Sequence, residues 1–292
     1  MARVQILDNS KVGKAHAYLG SVYLDYYGLK EQPFSITPNP RFLFYGTKHR
    51  EALNHVLYGI RERKGFVQLT GEVGAGKSTI CRVLLEQLGK NYATALILNP
   101  ALSSEQLIKA IGMEYGLDLR GLDAVETLNE LNMFLLRQLE EGQESVLFID
   151  EAQNLSNQQL EQVRMLSNLE TDDRKLLQIV LMGQPELRDR LNDPSMRQLR
   201  QRITVRYHLR PLKRSEVGCY VQHRLTISGA NGAGPRFTSP ALWRIFSYSQ
   251  GIPRLINAVC DKCLLAGYVQ QRGQVDYQLV GTAIKELEGI DL

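Results

Sequence analysis

Eight residues, Gly71-Glu72-Val73-Gly74-Ala75-Gly76-Lys77-Ser78, constrain this chain more than any other stretch of it. They match the Walker A pattern, G-x-x-x-x-G-K-[ST]. The apolar run Phe66–Thr70 precedes them, and Ser78–Leu88 follows with apolar residues at helical spacing. The motif therefore stands between a strand and a helix, which is the setting its chemistry needs. A glycine-rich turn would account for the residues but not for their placement. The glycines let backbone N–H groups close around phosphate oxygens, and the helix N-terminus adds its dipole. The expected nucleotide contacts are Gly71, Glu72, Val73, Gly74, Ala75, Gly76, Lys77, Ser78 and Thr79. Lys77 would reach the β- and γ-phosphates of ATP, and Ser78 would offer its hydroxyl to Mg²⁺.

A partner motif lies downstream, Val146-Leu-Phe-Ile-Asp150-Glu151. Four apolar residues predict a buried strand, and its two acids fall at the C-terminal end, where open α/β sheets bind ligands. On its own this is a strand meeting a loop. After a P-loop it reads as Walker B, with Asp150 helping to hold Mg²⁺ and Glu151 polarising the attacking water. Glu151 is the residue that turns nucleotide binding into hydrolysis.

Short apolar runs alternate with helical ones through the middle of the chain. Strands are expected at Phe66–Thr70, Ala95–Asn99, Val146–Asp150, Leu176–Met182 and Thr204–Leu209. Helices are expected at Thr47–Ile60, Ser78–Leu88, Ser104–Tyr115, Thr127–Leu139 and Gln158–Leu169. Buried strands alternating with helices predict a five-stranded parallel sheet covered on both faces, a three-layer α/β core. After Pro211 the alternation stops. Ser215–Leu225, Pro240–Tyr248, Pro253–Tyr268 and Tyr277–Leu287 all read as helices, with Ser239 as an N-cap before Pro240. The expected domains are a leader of unknown role at 1–22, a nucleotide-binding core at 23–211, and a small all-helical lid at 212–292. Pro33, Pro38 and Pro40 punctuate an aromatic opening from Tyr23 to Tyr45, which should be extended and turning rather than helical.

Composition excludes several classes. No stretch approaches the ~18 uncharged apolar residues of a membrane span, and Met1–Gly20 lacks the apolar run of a secretion signal. The expected location is the cytoplasm, or the inner-membrane surface through a partner or a further C-terminal segment. Four cysteines are too few and too scattered for a disulfide framework. Cys260-Asp-Lys-Cys263 has metal-ligand spacing, but it sits in a helical run with no second pair beside it. The formal charge of +4 permits weak attraction to nucleic acid or anionic lipid and demands neither.

Further polar residues cluster after the later strands. Gly183-Gln184-Pro185 places an amide beside the expected γ-phosphate position, though a strand-ending turn would use the same residues. Arg197, Arg200, Arg202, Arg206, Arg210, Lys213 and Arg214 form a basic run free of acids. Most should be solvated surface, while one could act on a neighbouring subunit's ATP. Gly251-Ile-Pro253-Arg254 opens a helix with a cation, which opposes the helix dipole unless it points at phosphate.

Together these residues resemble an AAA+ ATPase. The resemblance makes Gln184 the sensor 1 residue, Arg202 the arginine finger, with Arg197 and Arg200 as alternatives, and Arg254 the sensor 2 residue. The opening Tyr26-Tyr27-Gly-Leu-Lys-Glu-Gln-Pro33-Phe34 is similar to the ExeA-like (general secretion pathway protein A) group. So are Asp150-Glu-Ala-Gln-Asn154-Leu155, Gly183-Gln-Pro-Glu-Leu187 and Tyr207-His-Leu-Arg-Pro-Leu212. That resemblance runs from about Tyr23 to about Leu287. It implies an Mg²⁺-dependent ATPase that assembles with itself, as a ring or filament, and serves an envelope machine: type II secretion, a pilus or exopolysaccharide export. The competing expectation keeps the ATPase and makes DNA the partner, as in regulators of transposition. His49 matches the family opening and would lie near the adenine with Tyr45, or else be a surface residue at a helix start.

Overall fold

The computed structural model describes residues 23–171, 174–230 and 234–290. The expected leader at 1–22 lies outside the described residues. The described residues divide into two compact units, with Pro38–Pro211 in one. Residues 23–37 join the stretch from Leu212 onward in the other.

In the first unit five parallel strands form one sheet: β1 (Phe66–Gly71), β2 (Tyr92–Ile97), β3 (Glu144–Ile149), β4 (Leu177–Gly183) and β5 (Ile203–Leu209). Their order is β2-β3-β4-β1-β5. Every residue of β1 and β4 is buried, as expected of central strands covered on both faces. Period-two alternation then divides the apolar residues between two cores. Phe66, Leu147, Ile149, Ile179 and Leu181 face Leu107, Ile111, Leu131, Leu135 and Val163 from the helices Ser104–Glu114, Ala124–Glu140 and Asn157–Leu166. Val67, Leu69, Phe148, Val180 and Met182 face Leu53, Val56, Ile80 and Leu84 from the helices Thr47–Arg61 and Lys77–Leu88. This is the three-layer arrangement the sequence predicts. Two short helices at Pro185–Leu191 and Arg197–Arg202, absent from the sequence reading, fill the connection between β4 and β5.

The second unit contains the helices Arg214–Ile227, Ser239–Ser249, Pro253–Val269 and Tyr277–Leu287. It is not wholly helical. Two-residue strands β6 (Arg236–Phe237) and β7 (Gln274–Val275) pair in parallel. The N-cap before Pro240 falls one residue earlier than expected, on Thr238, whose hydroxyl accepts from the Ala241 N–H at 3.3 Å. Residues 23–27 are helical, where the prolines further on suggest an extended chain. Their tyrosines explain the difference: Tyr23 donates to Asp261 Oδ1 at 2.7 Å and Tyr27 to the Arg272 carbonyl at 3.0 Å. Residues 23–37 of the opening thus group with the helical unit, whereas the sequence expectation counts the whole opening with the core. Cys260 and Cys263 are buried on Pro253–Val269, and burial pushes the Cys263 thiol up to about 12. Among the described residues no group of three or more His, Cys, Asp or Glu side chains is placed to hold a metal.

Candidate active site

Strand order brings the predicted motifs together. Thr70 of β1 is level with Gly183 of β4, and Ile149 of β3 is level with Leu181 of β4. With β4 between β3 and β1, the P-loop, the Asp150-Glu151 pair and Gln184 all leave the sheet side by side at its C-terminal edge. Sequence spacing of 33 residues between Glu151 and Gln184 is closed by this pairing.

The P-loop turns on glycines in the left-handed region, Gly74 at φ +78° and Gly76 at φ +104°. Gly76 caps the helix Lys77–Leu88, and no side chain caps it. The first N–H groups of that helix are therefore offered to a ligand. Lys77 is 5% exposed, and its Nζ donates to the loop's own carbonyls, Gly71 O at 2.7 Å and Glu72 O at 3.0 Å. Burial pulls its pKa below the usual lysine value, an effect that Glu151 and Asp150 oppose. A buried ammonium held on the loop's own carbonyls, beside uncapped helix N–H groups, offers donors that a phosphate fits. His49, which sequence alone leaves open, is 3% exposed and sits under the loop. Its Nε2 lies 3.1 Å from the Ala75 carbonyl, so Nε2 carries the proton. Tyr45, by contrast, is half exposed.

Ser78 Oγ donates to Asp150 Oδ2 at 2.6 Å, and Asp150 is 3% exposed. A hydroxyl and a carboxylate are the hard oxygen donors that Mg²⁺ takes alongside substrate phosphates and water. These residues fit that ion. Glu151 adopts φ +50°, a conformation that costs an L-residue about 1–2 kcal/mol. Its Oε2 accepts from Gln184 Nε2 at 3.2 Å and from Gln153 Nε2 at 2.5 Å. Gln153 is not among the predicted site residues, and its place three positions into the Walker B turn offers no signal of this contact.

Arg202 and Arg200 make their hydrogen bonds to residues outside this cluster. Arg202 closes the helix Arg197–Arg202 and donates to Ser167 Oγ at 2.8 Å. Arg200 donates to the Asn192 carbonyl at 3.3 Å, and Arg197 is exposed. Arg254 is exposed in the first turn of Pro253–Val269, in the helical unit. The turn before it requires glycine: Gly251 has φ +77°, and a Cβ there would stand 2.0 Å from the Leu212 carbonyl oxygen.

Comparison with known proteins identifies the family and the fold. The profile of the AAA domain family matches residues 60–191. General secretion pathway protein A of Aeromonas hydrophila is 46% identical over 270 residues, which are 92% of this chain and 49% of that protein. The chain spans about half the length of that relative. Among solved structures, Drosophila ORC bound to DNA matches with a TM-score of 0.64 at 15% identity, over 98% of this chain and 69% of that one. Cdc6p from Pyrobaculum aerophilum matches with 0.63 at 18%, over 84% and 70%. A Thermotoga maritima RuvB mutant matches with 0.55 at 18%, over 84% and 71%. At such identities the shared feature is the fold.

Proposed function

Because the chain belongs to the AAA proteins of the ExeA-like, general secretion pathway protein A, group, we propose that it hydrolyses ATP with Mg²⁺ and drives assembly of a bacterial envelope machine. The observation that carries the catalytic part is the convergence of Lys77, the Ser78–Asp150 pair and the Glu151–Gln184 pair on adjacent strand ends. Loop N–H groups and Lys77 bind the phosphates; Ser78 and Asp150 would hold Mg²⁺, which would neutralise phosphate charge. Glu151 orients water toward the γ-phosphate, and Gln184 reports its presence. Arg254 is the proposed reader of the phosphates from the helical unit. Arg202 is the proposed finger on a neighbouring subunit's ATP, a role that would exchange its Ser167 bond for a phosphate oxygen.

Assembly through nucleotide follows from that finger, and the work passes to a partner by its differential affinity for the two nucleotide states. The similarity to general secretion pathway protein A motivates a secretion component as that partner. A second reading replaces it with DNA, on the strength of exposed Arg197, Arg206 and Arg210 in the acid-free basic run and the net positive charge.

The test is ATP turnover against protein concentration for wild type and Glu151→Gln, with the mutant sized with and without ATP. Turnover per subunit should rise with concentration, fall to a small residual rate in the mutant, vanish without Mg²⁺, and accompany ATP-dependent oligomers. Concentration-independent turnover from a monomer would sink the trans-acting arginine. For the DNA reading, binding must exceed that of an unrelated protein of similar charge and weaken steeply with salt.

A further inference from the structure

Gln153 spans two elements with one side chain. Its Nε2 donates to Glu151 Oε2, and its Oε1 accepts the Gln184 backbone N–H at 3.0 Å. A carboxylate can only accept and a backbone N–H can only donate, so these neighbours admit one orientation of the amide. That N–H stands at the cap position of the helix Pro185–Leu191. Glu151 Oε2 thereby receives two amides, from Gln153 and Gln184, while its other oxygen is not used by either.

The backbone of Gln153 is fixed as well. Its carbonyl accepts from Arg190 Nη1 at 2.6 Å, and Arg190 Nη2 donates to Asn157 Oδ1 at 2.9 Å. Space for the bridge comes from Gly183, where a Cβ would lie 2.7 Å from Gln153 Oε1 and 2.9 Å from Leu187 Cδ2. A side chain that merely ended a turn would need neither a specific amide orientation nor a glycine across from it.

We propose that Gln153 is a positioning residue for hydrolysis: it ties the Glu151 carboxylate to the end of β4, so that Glu151 and Gln184 are aimed as one unit. The inference rests on the reading of Glu151 as the group that orients water. Gln153 itself touches neither nucleotide nor water in this assignment; it sets the direction in which Glu151 presents its second oxygen. A misplacement of about 1 Å at such a group can cost about 100-fold in rate.

Steady-state and single-turnover ATP hydrolysis, with ADP binding, would be measured for wild type, Gln153→Ala, Gln153→Glu, Glu151→Gln and the double variant Glu151→Gln/Gln153→Ala. Gln153→Glu keeps the length and the acceptor for Gln184 N–H but removes the donor to Glu151. Both Gln153 variants should lose about 10- to 100-fold in kcat while KM and ADP affinity stay at wild-type values. Adding Gln153→Ala to Glu151→Gln should lower the residual single-turnover rate no further, since the two act as a unit. A folded Gln153→Glu protein with wild-type kcat overturns the proposal, and so does a loss that multiplies with that of Glu151→Gln. If Gln153→Ala does not fold, Gln153→Glu decides by the same readout. Glu151→Gln that retains wild-type turnover removes the underlying reading instead, whatever Gln153 does.

Discussion

Two clusters of polar residues, one in each unit, use their hydrogen bonds differently. In the helical unit Arg224, 7% exposed, donates to the carbonyls of Pro33 and Ser35 and, at 3.2 Å, to the Tyr220 hydroxyl. Tyr220 donates to Asn257 Oδ1 at 2.8 Å, and Asn257 donates back to Ser35 O at 3.3 Å. Each member closes onto another or onto the backbone of the opening segment, so the cluster is a fastening for residues 33–35. In the α/β unit Lys77 rests on loop carbonyls, Ser78 on Asp150, and Gln184 on Glu151. There the carboxylates of Glu151 and Asp150 act on the cation without bonding it, and the helix behind it has no capping side chain. Both clusters are well bonded; Arg224, Tyr220 and Asn257 are all buried, whereas Ser78, Glu151 and Gln184 are partly exposed beside buried Lys77 and Asp150. Each cation rests on neutral carbonyls; the difference is the uncapped helix N–H groups of the P-loop, and these mark a site awaiting an anion rather than a structural clasp.

The contrast can be broken by experiment. Arg224→Ala should show the largest effect, a loss of about 3–5 kcal/mol in unfolding free energy by urea titration. Folded Arg224→Ala should still bind ATP normally. If ATP affinity falls while stability holds, the helical cluster is a ligand site and the comparison fails. Lys77→Ala should do the reverse, weakening ATP by about 10- to 100-fold in a binding titration with little change in nucleotide-free stability. The sign of its pH dependence sharpens this. The folded pKa of Lys77 is lowered by burial, so between that value and the ordinary lysine value the unfolded chain binds the extra proton. Nucleotide-free stability attributable to Lys77 therefore rises with pH across that alkaline window, and the variant lacks this slope. The smallest effect concerns the thiols. Cys219 is exposed, while Cys81, Cys260 and Cys263 are buried, and burial is the main cause of their raised pKa values. A thiol titration of native protein should find one fast-reacting group per chain, whereas a functional Cys260–Cys263 pair would react early.

Much of the α/β unit is legible in the sequence, because its signals are local. A run such as Val146-Leu-Phe-Ile states its own burial, and the P-loop glycines state the backbone angles that Gly74 and Gly76 adopt. Strand β2 is the partial exception: it begins at Tyr92 rather than Ala95, since an edge strand buried on fewer sides carries a weaker apolar pattern. The opening segment is harder. Its prolines at 33, 38 and 40 report turns, but the helical stretch at 23–27 depends on tyrosines that reach Asp261 and Arg272, 238 and 245 positions away. His49 is similar, because its burial depends on the Ala75 carbonyl rather than on its helix.

The sequence by itself determined the chemistry on offer: a P-loop, a strand ending in Asp150-Glu151, a third strand ending in Gln184, and a helical region beyond Pro211. Spacing along one chain suffices for these, since each motif is built within a single strand and its turn. Tertiary structure alone decided which side chains hold which. Inserting β4 between β3 and β1 set Gln184 against Glu151 and let Gln153 bridge them. Such contacts follow from strand order, and strand order is settled by how the two apolar faces of the whole sheet are buried, a sum over many residues that no single motif records.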